Sequence, residues 1–138
     1  MLNLHPALPE GPSGTWRDVI WKLIATNASE HGVMIHLVTE ILDEGPPIAY
    51  ARFPIRGGPF DALWDTVQGT QIEALKTSDG EELPLFQAIR NEGLKIERPL
   101  LKHTLIRLSN GLLKIPDNPG LSVRSSTPGP IDITNALD

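Results

Sequence analysis

The chain has 138 residues, 40% hydrophobic and 21% charged, and seventeen acids against twelve lysines and arginines give it a formal charge of −5. One domain around a single core is expected at this size, and the acidic balance argues against a phosphate-dominated grip on duplex nucleic acid. The absence of cysteine excludes disulfides, thiolate metal sites, iron–sulfur clusters and a cysteine nucleophile.

Residues 1–14 hold Pro6, Pro9, Pro12, Gly11 and Gly14 and are expected to form an extended N-terminal arm, because proline removes backbone donors and fixes φ. Met1 to Pro6 has neither the basic start nor the apolar stretch of a signal peptide, and no apolar run approaches the ~18 residues of a bilayer span. A cytoplasmic protein with no membrane attachment is therefore expected, and Asn27-Ala28-Ser29 is read as a loop triplet rather than a glycosylation site.

Asp18 to Thr26 is rich in β-branched and aromatic residues and pairs, on this reading, as a hairpin with the segment that follows; Trp16, Ile20, Leu23 and Ile24 also fit helical spacing. Val33 to Leu42 alternates with period two, setting Ile35, Leu37, Thr39 and Ile41 on one face and Met34, His36, Val38 and Glu40 on the solvent side. Asp43-Glu44-Gly45-Pro46-Pro47 reads as a turn and Ile48 to Ile55 as the returning strand. Phe60, Leu63, Trp64 and Val67 give a helical stripe that closes near Gly69. Thr70 to Thr77 is strand-like, and Pro84 and Gly93 bracket a second helix. Thr104 to Leu108 and Leu112 to Ile115 flank Ser109-Asn110-Gly111 as a hairpin. From Asp117 onward Pro, Gly, Ser and Thr dominate, so residues 117–138 read as a C-terminal tail beyond a body of residues 15–116.

These elements predict an α+β domain: a largely antiparallel sheet with one or two short helices and extended N- and C-terminal arms, with a small, partly open β-barrel as the alternative. No glycine-rich fingerprint follows a strand, and dinucleotide binding is not expected.

Catalytic signals are sparse. The four histidines, His5, His31, His36 and His103, form no metal-ligand spacing, and His5 falls in the presumed arm. His36 and Glu40, with His31, could offer metal ligands, but as solvent-facing members of an alternating strand they need no metal, so neither metal nor cofactor is expected. Asp61 and Asp65 stand one helical turn apart beside Trp64, an arrangement more typical of an exposed helix edge than of an acid–base pair. No Gly-x-Ser-x-Gly elbow occurs. Asp79-Gly80-Glu81-Glu82 does not satisfy a calcium loop.

Three binding features remain. Arg52, Arg56, Gly57 and Gly58 form a candidate anion-binding loop, because consecutive glycines admit a ligand close to the backbone and arginine matches carboxylate or phosphate. Arg98, Lys102, Arg107 and Lys114 are candidate contacts to a single-stranded nucleic acid, although every aromatic residue precedes that basic stretch. Ile131, Ile133 and Leu137 alternate with polar residues in the tail and are candidate partner-binding residues for strand addition. The sequence thus predicts a non-enzymatic protein-binding module, an inhibitor, adaptor or assembly component that binds a protein or self-associates through sheet edges and arms. A single-stranded nucleic-acid-binding domain is the alternative, and an enzyme or ligand carrier around Arg52, Arg56 and Trp64 the third reading.

Overall fold

Leu2-Asn3-Leu4-His5 alternates apolar and polar side chains, and in the computed structural model, which describes residues 2–37, 46–111 and 130–137, it forms strand β1 (Leu2–His5). β1 pairs antiparallel with β2 (Glu30–Leu37), placing Asn3 opposite His36 and His5 opposite Met34. β2 pairs antiparallel with β3 (Pro47–Pro54), and β3 pairs in parallel with a short β4 (Ile131–Asp132). The spatial order β1-β2-β3-β4 is an open mixed sheet. The α+β expectation therefore holds, and the barrel alternative does not. Neither expected arm lies wholly outside the fold: the front one supplies an edge strand and buries Ala7 and Leu8, and the tail supplies β4. Strand residues 38–42 and the turn at 43–45 lie outside the described residues.

Residues 18–25 are helical, and Thr26 caps the end. Thr15 caps helix α1 (Trp16–Ala25) through a reciprocal pair, Asp18 N–H donating to Thr15 Oγ1 at 3.2 Å and Thr15 N–H donating to Asp18 Oδ2 at 3.0 Å. Val19, Ile20, Leu23 and Ile24 make its buried face, so spacing decided over β propensity. Helix α2 (Pro59–Val67) follows the expected stripe and buries Trp64, whose Nε1–H donates to Ile55 O at 2.6 Å. The next segment, read as a strand, is helix α3 (Ile72–Ser78), anchored by Leu75.

The largest departure is helix α4 (Pro84–Ser109), which begins at the expected proline but runs through Gly93 and Pro99 for 26 residues. Proline inside a helix removes one donor and commonly breaks it. Here Leu85, Phe86, Ile89, Gly93, Leu100 and Thr104 form a continuous buried face that holds both halves in line. Asn110 and Gly111, expected as a hairpin turn, end this helix instead: Asn110 N–H donates to Ile106 O at 3.0 Å, and Gly111 has φ +74°. Residues 112–115 lie outside the described residues.

Two apolar clusters result. The first joins α1, α2, α3 and the front of α4 around Ile20, Trp64, Phe86 and Ile89. The second packs Val33, Ile35, Ala49, Ala51 and Ile133 with Leu100 of α4. α4 thus lies against one face of β2 and β3, leaving the side chains of alternate positions, Asn3, His5, Met34, Tyr50 and Arg52, on the other face. None of the described helices is long and apolar enough to cross a membrane.

Candidate functional site

The front strand brings its two polar side chains against β2. The registers Asn3 opposite His36 and His5 opposite Met34 place three nitrogen-bearing groups on one sheet face. His36 is 1% exposed, not on the solvent side as the alternation suggested. A register shift between Ile35 and His36 accompanies its inward placement. Its Nδ1 lies 3.1 Å from Leu37 O, so Nδ1 carries the proton that this carbonyl accepts. Nε2 is then the lone-pair nitrogen, and it accepts from Asn3 Nδ2 at 3.3 Å. His36 therefore sets the plane of the Asn3 amide. His5 stands edge-on to His36, ring centroids 6.2 Å apart and planes at 81°.

A side-chain amide held by an imidazole is a donor suited to charge developing on an oxygen. A half-buried second imidazole stands alongside it, a side chain of the type that serves as general acid or base. Sequence reasoning missed Asn3 and His5 because the prolines after them pointed to an arm; the signal that could have found them is the period-two alternation of Leu2 to His5. His31, on β2, is 3% exposed and packs edge-on against Phe53 at 5.4 Å. Burial, with Arg90 and His5 adding, pushes its pKa down to about 4. Among the described residues no group of three or more His, Asp or Glu side chains could hold a metal ion; Glu40, the third member of the metal trio considered, lies outside them.

The expected anion loop is not assembled as a unit. Arg52 is engaged by carboxylates, with Glu30 at 2.7 Å, Glu10 at 3.1 Å and Asp132 at 3.6 Å. The hydrogen bond that Arg52 donates to the Tyr50 hydroxyl oxygen leads the effects that raise its pKa. Gly57 N–H donates to Asp61 Oδ1 at 2.8 Å, and Gly58 only starts α2. Arg56 alone faces a cleft. Arg98 and Lys102 are exposed on α4 and Arg107 is half-buried there, on a helix rather than on strands and loops; Lys114 lies outside the described residues. The tail residues serve the chain itself. Ile131 pairs in β4, Ile133 is 2% exposed with its N–H donating to Tyr50 O at 2.9 Å, and Leu137 packs beside the second cluster.

No protein-family model matches the chain, and no curated protein does. Solved structures do match, among them phosphoribosylglycinamide formyltransferase from Coxiella burnetii, at 28% identity over 64% of this chain and 36% of that one with a TM-score of 0.35, and glycinamide ribonucleotide transformylase 1 from Symbiobacterium toebii, at 26% identity over 64% and 34% with a TM-score of 0.34. The chain spans about a third of the length of these structures. Both are enzymes, which contradicts the expectation of a non-enzymatic module and of its nucleic-acid-binding alternative. TM-scores this low assign neither fold nor substrate.

Proposed function

We propose that the chain is an enzyme, or the acid–base portion of one, that transfers an acyl group at Asn3 and His5. The observation that carries this reading is the buried His36, held through Nδ1 by Leu37 O and accepting from the Asn3 amide through Nε2. Acyl transfer passes through a tetrahedral oxyanion, so it needs an oriented hydrogen-bond donor and a group that moves a proton. Asn3 supplies the first, His5 the second, and His36 is a positioning residue that acts through Asn3.

The test is turnover of p-nitrophenyl formate, which carries the smallest acyl group, by the full chain in the presence of an amine acceptor. Asn3→Ala is expected to lower the rate by about 10²-fold, the usual scale for losing one oxyanion donor. His5→Gln is expected to lower the rate by about 10²-fold as well, the lower end of the usual scale for losing a general acid or base. His36→Asn should lower kcat more than it raises KM, because it misaligns Asn3 without touching substrate. Rates unchanged in both Asn3→Ala and His5→Gln, in proteins with native circular dichroism, would refute the proposal.

A further inference from the structure

Among the described residues four large apolar side chains are well exposed, and all of them lie on α4: Leu94, Leu101, Leu105 and Ile106, each between 38% and 49% exposed. Single surface leucines need no explanation, but a contiguous set does. Leu94, Arg98, Leu101 and Leu105 follow one another at spacings of four, three and four, which sets them in one stripe about 17 Å long. The stripe runs along the side of α4 opposite the buried Leu100 and Thr104, so it faces away from the sheet. That alternation of four and three is the seam spacing of one helix packed lengthwise on another.

The charge on this face narrows what can cover it. Lys95, Arg98 and Lys102 are exposed beside the leucines. Lys95 meets Glu92 at 2.8 Å. Arg98 and Lys102 have no carboxylate partner among the described residues, and the neighbouring Glu97 lies against Arg90 at 3.6 Å instead. Arg98 sits within the seam, so any cover desolvates it, which is costly unless a carboxylate meets it. A second copy fails that requirement: a two-fold pairing of the stripe sets Arg98 beside Arg98 when the helices run parallel, and Lys95 beside Lys102 when they run antiparallel. An anionic lipid surface is a poor match too, since the apolar stripe is narrow and the whole chain carries a charge of −5.

We infer that the outer face of α4 is a docking surface for an acidic amphipathic helix of another protein, whose apolar side chains interlock with Leu94, Leu101 and Leu105 and whose carboxylates meet Arg98 and Lys102. The surface lies across the sheet from Asn3 and His5, so it is independent of the acyl-transfer reading.

Fluorescence anisotropy of labelled synthetic helices with the full chain tests this. The probe is an amphipathic peptide of about three heptads with leucine at the seam and glutamate on both flanks, and its control carries lysine in place of glutamate. The glutamate peptide should bind saturably, and the lysine peptide about tenfold more weakly or not at all. Leu101→Gln should weaken the glutamate peptide by about tenfold or more. Arg98→Glu, which reverses the central charge, should weaken it to a similar degree and tighten the lysine peptide. Both positions are exposed, so each variant should keep native circular dichroism. Absence of saturable binding by the glutamate peptide, equal affinity for the two peptides, or a preference unmoved by Arg98→Glu would each overturn the assignment. So would a dimer in light scattering that Leu101→Gln dissociates, or binding to phosphatidylserine vesicles that Leu101→Gln abolishes, because the occupant would then be a second copy or a lipid surface.

Discussion

Acidification should weaken the fold through His31. Its pKa falls from 6.5 to about 4 in the folded chain, with burial the leading cause. A histidine depressed by folding binds its proton more readily when unfolded, so between these two values the unfolded state gains protons first. Its contribution is therefore fully present above pH 6.5 and is lost as pH falls toward 4. At 1.36 kcal/mol per unit, the shift amounts to about 3 kcal/mol, a sizeable share of a stability that runs to roughly 5–15 kcal/mol in domains of this kind. Urea unfolding of the wild type and of His31→Leu at several pH values from 7.5 to 4 isolates this group, since other titrating side chains are common to both proteins. The stability difference between the two should shift against the wild type by about 3 kcal/mol over that range. A difference that stays constant, or moves the other way, would show that His31 is not held neutral by its surroundings.

Two further outcomes concern the sheet. Gly32→Ala places a methyl group against Leu8 and the carbonyl oxygen of Ala51, so the variant should lose about 2 kcal/mol or more in urea unfolding; a loss below half of that would mean that the segment over β2 moves aside freely. Ile133→Asp buries a charge in the second cluster and should lower stability by about 3 kcal/mol or more without changing the mass found by light scattering, if the tail serves its own sheet.

Local pattern carried much of the fold. The strand over Val33 to Leu37 and the helical stripe of Phe60 to Val67 both appear in the structure, although β2 is buried on both faces, so its period located the strand without marking a solvent side. The misreadings came from residues with two physical uses. Asn110-Gly111 supports positive φ in a hairpin, but equally at a helix end, and the buried length of α4 chose the latter. Gly93 and Pro99 weaken a helix locally, while burial of Ile89, Leu100 and Thr104 outweighs them. Ile72 to Ser78 lacks a pattern strong enough to separate strand from helix. The candidate site depended on pairing between residues 3 and 36, which no single stretch encodes.

The pairing of β4 has a consequence for synthesis. Arg52 N–H donates to Thr134 Oγ1 across 82 positions of sequence, with all of α4 made in between. While the chain is being translated, the outer edge of β3 therefore stands exposed until residues 131–134 leave the ribosome, and an unpaired edge of this kind is a template for other strands. Closure over so long a separation is slow compared with helix formation, so this pairing is open to competition from neighbouring nascent chains.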